Sequence, residues 1–458
     1  MKPKKPSAAE LSQFQLFHSR LDQLVNPQHE LIQLAELIDW NRFDEAYEPL
    51  YCEDNGAPGL PTRLLVGLQY LKYTFNLSDE ELVKRWTENP YWQAFCGEVY
   101  FQTEAPLHPT SLGVWRRRIG EEKIKLILDE TVRIALKKKF LTQKDCERVI
   151  VDSTVQEKNI TFPTDSKLLT KAIIKLGKFA RLNGIKLRQS YARKAKQRNW
   201  QASGYAAARQ FNRLARANQD LKNWLGRIVR DIEKKRENKV LSCNFQTLLE
   251  QAKRLIVQEK NSKDKLYSLH EPEVCCISKG KSRIRYEFGQ LAAVVTTNRG
   301  NWIINVEDFS DNPYDGHTLD QSIKGAEKIT GVLVCEGQVD RGYRGHDYKG
   351  SAKIHLARSS HAGLSRSERR RKRRRSSIEP VIGHLKLDHR LDRCFLKGRL
   401  GDKLNLIGSA AGFNIRKLLR LLALGRFSRA LSVWSVFSRL FGSWASSSPA
   451  ATPIFCRP

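Results

Sequence analysis

The chain has 458 residues, of which 40% are hydrophobic, so it can bury a sizeable core and is long enough for two or three domains. Lysine and arginine number 80 against 49 acidic residues, and the net charge of +31 predicts a polyanionic partner rather than a merely basic surface. No apolar run approaches the ~20 residues that span a bilayer, which argues against a membrane protein. The basic N-terminus lacks the apolar stretch of a secretory signal.

The nine cysteines are scattered along the chain, odd in number and without a Cys-x-x-Cys pair. This pattern is typical of reduced thiols in a cytosolic protein. It argues against both a disulfide framework and a zinc site.

Residues 11–140 carry the periodicity of helices. One predicted buried face follows the i, i+3, i+4, i+7 spacing and consists of Leu31, Leu34, Ala35 and Ile38. Pro61-Thr62 predicts the start of a second helix with the apolar residues Leu64, Leu65, Leu68 and Leu71.

Beyond this second helix, Ser78-Asp-Glu-Glu81 has the pattern of a capping box, and Asn89-Pro90 predicts the end of the helix that follows it. The short turn at 76–78 is compatible with a DNA-binding helix-turn-helix, although a plain helical bundle fits the spacing at least as well. A further helix begins near Pro109 and runs through Trp115 to Arg118, with the tryptophan packed beside a solvated basic face.

The pattern changes at Arg148, where a short β-branched run predicts a buried strand with Asp152 at its C-terminal end. From about 166 to 265 the chain is helical again and heavily charged, which predicts a large helical insertion. A near-heptad stripe there favours the core of a helical hairpin over a dimeric coiled coil, and its members are Leu214, Leu221, Leu225, Ile228 and Ile232.

The remaining pattern alternates between strands and helices, which predicts an α/β fold with a mixed sheet. The predicted strands are 283–288, 291–297, 302–306 and 331–335, with a turn at 298–300, and the predicted helices are 318–329, 376–390 and 402–424. We assign the tail, 426–458, neither a fold nor a function.

Three acids occupy positions where they can meet at one edge of this sheet. Asp152 lies at the end of a predicted strand, Asp340 follows another, and Glu379 opens or lies within a predicted helix. Mg²⁺ prefers carboxylate and water oxygens, and two such ions ~4 Å apart activate the attacking oxygen and stabilise the leaving one in phosphoryl displacement. Each aspartate taken alone is better explained as a strand-end or capping residue, so the context decides.

That context is a set of local motifs, read at 149–154, 338–345 and 375–386. Together they resemble the DDE transposases of bacterial insertion sequences, in the group named for insertion sequence five. Arg375-x3-Glu379-x6-Lys386 matches the signature of that superfamily around its third acid, whereas Lys372 replaces the usual tyrosine. Further similar motifs lie at 285–289, 312–319 and 414–416, and the resemblance covers about residues 15–425.

The resemblance implies a domain organisation and a fold. An all-α N-terminal domain, 1–140, would bind DNA ends and precede an RNase H-like mixed-sheet catalytic domain, 145–425. The helical insertion of about 166–265 would lie within that catalytic domain.

The resemblance also implies the activity and its residues. Asp152, Asp340 and Glu379 would hold Mg²⁺, with Mn²⁺ as a substitute, while Arg375 and Lys386 would contact phosphates at the transposon end. The protein would bind the terminal inverted repeats of its insertion sequence, cleave the strand and join it to target DNA. It would act as a homodimer assembled on DNA, in the bacterial cytoplasm and associated with the nucleoid.

Cations next to these acids are predicted to bind DNA. Arg369 to Arg375 is an unbroken run of seven, which includes Lys372, Arg373 and Arg374, and such a run is usually solvated or bound to a polyanion. Tyr343 and Arg344, beside Asp340, are further candidates for DNA contact. His317 is assigned a structural or substrate-positioning role.

Two other functions stay open at this point. One is a catalytically inactive, domesticated DNA-binding protein derived from such an enzyme, although all three acids are present. The other is a metal-dependent DNA nuclease without strand transfer, which the three acids alone do not exclude. Gly280 to Ser282 mimics the end of a P-loop, but Cys275 stands where that loop requires glycine, so ATP use is not indicated.

Overall fold

A computed structural model describes residues 2, 19–52, 56, 58–236, 241–259, 261–262, 264–278, 285–357 and 365–441, with side chains up to residue 425. The helices before the sheet are α1 (Leu21–Leu24), α2 (Glu30–Leu37), α3 (Trp40–Tyr47), α4 (Thr62–Thr74), α5 (Asp79–Glu88), α6 (Pro90–Cys96), α7 (Pro109–Lys137) and α8 (Gln143–Cys146). The helical prediction is confirmed for the described part of this region.

Helix α4 is the central helix of this region, because every residue from Leu64 to Thr74 is buried. Helix α5, which follows the turn at 76–78, begins with three acids at 79–81, an unfavourable surface for DNA phosphates. The packing is therefore that of a helical bundle. Only half of the predicted capping box forms: Ser78 Oγ accepts from the Glu81 backbone N–H at 3.1 Å, but the Glu81 carboxylate accepts from Arg85 at 2.6 Å.

One arginine does not lie on the solvated basic face that is predicted beside Trp115. Trp115 is buried as expected, but Arg116 is only 2% exposed and lies inside the bundle. Its guanidinium donates to both carboxylate oxygens of Asp79, at 2.7 and 2.6 Å. Lys72 Nζ donates to the same carboxylate at 2.8 Å, so Asp79 joins three helices through two buried cations.

The mixed sheet is confirmed. Its described strands are β1 (Arg148–Lys158), β2 (Cys275–Ile277), β3 (Glu287–Thr297), β4 (Ile303–Phe309), β5 (Glu336–Val339), β6 (Lys353–Leu356) and β7 (Arg393–Cys394). On one side β1 pairs antiparallel with β3, which pairs antiparallel with β4 and β2. On the other side β1 runs parallel to β5 and β7, and β5 runs parallel to β6.

Two strand predictions are wrong in detail. The strand predicted at 291–297 is part of a longer strand, β3, which begins at Glu287 and includes the last two residues of the strand predicted at 283–288. Residues 283–284 lie outside the described residues. A Cβ on Gly289 would overlap the carbonyl oxygen of Gln156 in β1, so glycine permits close pairing here instead of ending a strand. The strand predicted at 331–335 starts later, at Glu336, because Gly331 ends the preceding helix with a φ of 67° and the chain must then reach the sheet.

The predicted helical insertion contains four helices: α9 (Asp165–Leu182), α10 (Ala192–Ala207), α11 (Phe211–Lys235) and α12 (Cys243–Val257). The near-heptad stripe lies on α11, and its residues Leu221, Leu225, Ile228 and Ile232 are buried in a core shared with α9 and α12. The stripe therefore packs within the insertion, as the hairpin interpretation predicted.

The last helices are α13 (Asp315–Thr330), α14 (Arg366–Arg375), α15 (Ile378–Asp388) and α16 (Gly398–Phe441). Helix α16 lies between the N-terminal helices and the sheet: Asn414 Nδ2 donates to Thr131 Oγ1 at 3.0 Å and to the carbonyl oxygen of Ile303 at 2.8 Å. One hydrophobic core accordingly spans both regions. The sequence assigns no fold to the residues from 426 onward. The structure corrects this, because the helical backbone of α16 continues to Phe441.

Within the described part of the chain, no helix has the length and apolar character needed to cross a bilayer. The eight cysteines described there are free thiols. Lys281 and the rest of the P-loop-like motif lie outside the described residues.

Candidate active site

Asp152 lies in the middle of β1 and not at its end, which corrects the sequence prediction. Pairing with β3 keeps the strand extended from Val149 to Glu157. Pairing with β5 covers only 148–150, where Ile150 lies opposite Gln338, so Asp152 lies just beyond the last β1–β5 pair. If the same parallel register is continued by two residues, Asp340 comes level with Asp152.

Asp340 follows the last residue of β5 and caps a short 3₁₀ turn at 341–343. Its Oδ1 accepts a hydrogen bond from the backbone N–H of Gly342 at 2.8 Å, which fixes the carboxylate. Its Oδ2 lies 3.8 Å from Nη2 of Arg375. A carboxylate that caps a turn at the end of a central strand is held in place by the backbone of the sheet.

Glu379 is the second residue of α15, in agreement with its predicted place at the start of a helix. Its side chain is 60% exposed, and its Oε1 accepts from Nη1 of Arg375 at 3.0 Å. The two residues are one helical turn apart, although they belong to the successive helices α14 and α15.

Arg375 brings the three acids together. Besides Glu379 and Asp340, it contacts Asp152, whose Oδ2 accepts from Nη2 at 3.1 Å. The Arg375 side chain is 17% exposed, and its Nε is buried without a hydrogen-bond partner. One guanidinium therefore offsets part of the repulsion among carboxylates from β1, the β5 turn and α15.

The donor set of this site fits a hard divalent cation, because it consists of carboxylate oxygens that converge on one cationic group. The described residues contain no group of three acidic, histidine or cysteine side chains already arranged around a metal position. The guanidinium of Arg375 lies among the three acids.

Helix α14 carries the predicted basic run and begins with a capping box formed by Ser365 and Glu368. Its cations differ in their surroundings. Arg374 donates to Asn298 and, at 2.9 Å, to Oδ1 of Asn301, so it attaches α14 to the turn between β3 and β4. Arg373 is exposed.

Lys372 is half-buried and borders a groove between α14 and β6. Residues lining this groove include Gln338, His355, Arg371, Lys372 and Arg375. The groove therefore ends at the arginine that contacts the three acids.

The other predicted DNA contacts lie in different surroundings. Arg344 is exposed, and its carbonyl oxygen accepts from the hydroxyl of Tyr314. Lys386 is half-buried on α15, where its charge acts on Glu157 of β1. Tyr343 is fully buried, so its predicted contact with DNA is wrong for this structure. His317 packs edge-on against Tyr314, with ring centroids 5.6 Å apart, in keeping with a structural role.

Sequence reasoning missed Asp315, the first residue of α13. Its Oδ2 lies 3.0 Å from the position that a Cβ on Gly342 would occupy, and Oδ1 of Asp340 lies 3.0 Å from the same position. Asp315 lies within the motif at 312–319, in which the sequence assigns a role to His317. Only the fold brings Asp315 next to Asp340.

Two segments of the chain match known families. Residues 19–118 match the family described as Transposase domain (DUF772), and residues 334–419 match the family described as Transposase DDE domain. The second match contains Asp340 and Glu379. The uncharacterized protein ORF8 in the nfe locus of Rhizobium meliloti is 47% identical over 211 residues, which are 46% of this chain and all of that protein. No solved structure matches the chain.

Proposed function

Because the chain belongs to the transposases that carry a DDE domain, we propose that it cleaves DNA at the ends of an insertion sequence and joins them to target DNA. The observation that carries this proposal is the convergence of Asp152, Asp340 and Glu379 on one guanidinium. These acids come from three separate elements, and the fold brings them within reach of the same group. Their isolated roles as strand or capping residues do not account for that convergence.

The three acids would hold Mg²⁺ or Mn²⁺. Divalent cations bound there supply the positive charge that stabilises the attacking and leaving oxygens of an in-line phosphoryl displacement. Asp152 and Asp340 are suited to this role because neighbouring strands of the sheet fix their backbones. Glu379, on the more exposed start of α15, completes the set from the solvent side.

The chain's own cations would bind and orient the DNA. Arg375 neutralises the acids when DNA is absent, and on DNA binding its guanidinium turns to a phosphate at the transposon end. Lys386, Arg344, Lys372 and Arg373 would contact further phosphates, each contact releasing counterions. The half-buried Arg374 would position the basic helix α14, since its guanidinium is held by the turn at 298–301.

The strand that is cut would end in a 3′-hydroxyl, which then attacks a target phosphodiester. Both steps exchange one phosphorus–oxygen bond for another, so neither needs a serine or tyrosine nucleophile on the protein. No covalent intermediate between protein and DNA is involved.

Three further proposals, on the fold, on DNA-end recognition and on the place of action, rest on the sequence resemblance. The sheet would be RNase H-like, a view supported by two central strands that deliver acids to one region and by a helix that adds the third. The N-terminal helices would recognise the terminal inverted repeats of an element in the insertion-sequence-five group, as part of a homodimer that pairs two ends. The place of action would be the bacterial nucleoid.

The test is a strand-transfer assay with the full chain. The protein is incubated with Mg²⁺, labelled DNA that carries the inverted repeats flanking its gene, and a supercoiled target plasmid. We expect labelled ends to become joined to the plasmid. Cleavage without joining would replace the proposal with the nuclease alternative, and binding without cleavage would replace it with the inactive DNA-binding protein.

Substitutions of the acids sharpen this assay. Asp152→Asn, Asp340→Asn and Glu379→Gln should each abolish cleavage and joining while DNA binding is kept. The matched control is Asp320→Asn, because Asp320 lies on α13 and pairs with Lys324 of the same helix, at 2.6 Å. Normal cleavage by any one of the three variants would remove that residue from the proposed active site.

A further inference from the structure

A fourth carboxylate lies beside the three acids. Asp315 Oδ2 and Asp340 Oδ1 are each 3.0 Å from the point where a Cβ on Gly342 would lie, so at most twice this distance separates the two oxygens. Two carboxylates so close repel each other unless a cation or a proton lies between them or nearby. Gly342 provides the room for this approach because it has no side chain.

The position of Asp315 is fixed by its neighbours. The hydroxyl of Tyr314, the residue before it, donates to the carbonyl oxygen of Arg344, beyond the turn that Asp340 caps. On its other side, a Cβ on Gly316 would lie 3.0 Å from the Cα of His346, so the two segments are in close contact. The Thr318 hydroxyl donates to the carbonyl oxygen of Asp315 at 2.7 Å. Asp315 is therefore held against the segment that carries Asp340.

The neighbouring acids have an ion-pair partner, whereas Asp315 has none among the described residues. Arg375 contacts Asp152, Asp340 and Glu379, but among the described residues no lysine, arginine or histidine forms an ion pair with Asp315. Asp320, on the same helix, has Lys324 as its partner. Within the described part of the chain, the negative charge of Asp315 and Asp340 is thus only partly offset, which favours the binding of an added cation.

A second, independent observation comes from Tyr343. This side chain is fully buried. Its hydroxyl makes no hydrogen bond of good geometry among the described residues, although the Thr318 side chain lies close enough to interact with it. Burial raises the pKa of the hydroxyl well above its ordinary value, and the charges of Asp315, Asp152 and Asp340 raise it further, whereas Thr318 opposes the shift. A buried hydroxyl in the field of three acids that lacks a well-formed hydrogen bond points to a ligand or its water as the missing partner.

We propose that Asp315 is a fourth carboxylate of the divalent-cation site and binds the same cation as Asp340. This inference rests on the proposed function, because it assumes that Asp340 holds a metal ion. Asp315 would supply a carboxylate oxygen to this cation, and the Tyr343 hydroxyl would donate a hydrogen bond to an oxygen bound to it. The ligand is a hard divalent cation, Mg²⁺ or Mn²⁺.

The test measures Mn²⁺ binding by isothermal titration calorimetry on the full chain without DNA. The titration is made on wild-type protein, on Asp315→Asn and on the control Asp320→Asn. It is repeated in an Arg375→Gln background, where the competing guanidinium is absent. In whichever background binds Mn²⁺ detectably, the wild type or Arg375→Gln, we expect Asp315→Asn to weaken Mn²⁺ binding at least tenfold. Asp320→Asn should leave it unchanged.

A second variant tests the same point with every acid retained. Gly342→Ala places a methyl group 3.0 Å from both carboxylate oxygens, so we expect it to push them apart and also weaken Mn²⁺ binding. Circular dichroism establishes that each variant is folded. If Asp315→Asn does not fold, Gly342→Ala decides in its place.

The outcomes separate this inference from the proposed function. If Asp315→Asn binds Mn²⁺ as tightly as the wild type, the role of Asp315 is overturned, while the proposed roles of Asp152, Asp340 and Glu379 are unaffected. The same holds for Gly342→Ala if Asp315→Asn does not fold. If Mn²⁺ binds neither to the chain with Arg375 nor to the Arg375→Gln chain, this inference is overturned together with the metal site of the proposed function.

Discussion

Nη2 of Arg375 lies 3.1 Å from Oδ2 of Asp152, and this contact joins the end of α14 to the middle of the central strand β1. The same guanidinium reaches Asp340 at 3.8 Å and Glu379 at 3.0 Å. A single internal cation therefore faces all three proposed metal ligands. Because two cations in this space would repel each other, a divalent ion bound by these carboxylates would compete with Arg375.

The first prediction concerns this competition. In the absence of DNA, Arg375→Gln should tighten Mn²⁺ binding about tenfold, which corresponds to roughly 1.4 kcal/mol. The reason is that the positive charge of Arg375 no longer opposes the binding of the ion to these acids. Isothermal titration calorimetry measures the change, and Arg373→Gln, on the exposed side of the same helix, serves as the control. Equal Mn²⁺ affinity in wild type and Arg375→Gln would argue against competition.

The second prediction separates two adjacent arginines of α14. Arg373 is exposed, so Arg373→Ala should lower the slope of log affinity for DNA against log salt by about 0.9, the value for one lost phosphate contact. Arg374 is bound to Asn298 and Asn301, so Arg374→Ala should leave that slope unchanged. It should instead lower the free energy of unfolding by about 1 kcal/mol.

DNA binding at several salt concentrations and urea unfolding measure the two effects. The reverse result, with Arg374→Ala changing the slope and Arg373→Ala changing only stability, would contradict the assignment. A salt-independent affinity of the wild type would contradict the electrostatic basis of DNA binding altogether.

The sequence predicted the helices more successfully than it predicted the strands. Helix α4 and the start of α15 follow from apolar spacing and from the Arg375-x3-Glu379-x6-Lys386 pattern, both of which are local. The proposed roles of these site residues stay predictions. Their convergence on Arg375 comes from tertiary contacts that no local pattern records.

Strand lengths depend on partners that are distant in the sequence, and this explains the errors. The strand with Asp152 seemed to end there because the following residues, 153–158, include several polar side chains. Pairing with β3 as far as Glu157, and with β7 at Glu157 and Lys158, extends the strand to Lys158. The charge of Lys158 is offset inside the protein by Asp402 at 2.9 Å. Asp315 was missed for the same kind of reason, since only close packing across Gly342 brings it near Asp340.

The third prediction concerns the buried charges of the N-terminal helices. Asp79 accepts from Arg116 and Lys72, whose side chains are 3% and 5% exposed. Asp79→Asn would leave two buried cations without a counter-charge, so we expect the free energy of unfolding to fall by about 3 kcal/mol. The neighbouring Glu80 is exposed, and Glu80→Gln should change stability by less than about 0.5 kcal/mol. Urea denaturation at neutral pH compares the two variants, and similar small effects would contradict a structural role for this cluster.

The fourth prediction concerns the acid sensitivity of His389, which links α15 to α4. Its ring is 1% exposed, and its Nδ1 lies 2.8 Å from the carbonyl oxygen of Tyr73. Burial lowers the pKa of His389 to about 4, although the hydrogen bond to Tyr73 opposes the shift, and the charge of Arg416 lowers the pKa further. The folded protein therefore favours the neutral ring, whereas the unfolded chain has the ordinary pKa of about 6.5.

The sign of the effect follows from this difference. Above pH 6.5 both states hold a neutral ring, and as the pH falls towards 4 the unfolded state binds a proton that the folded state resists. The contribution of His389 to stability is thus complete above pH 6.5 and is lost on acidification, by up to about 3 kcal/mol. In His389→Gln, which cannot be protonated, the free energy of unfolding should fall less between pH 7 and pH 4.5 than in the wild type. Parallel pH profiles of the two proteins would show that another group is responsible.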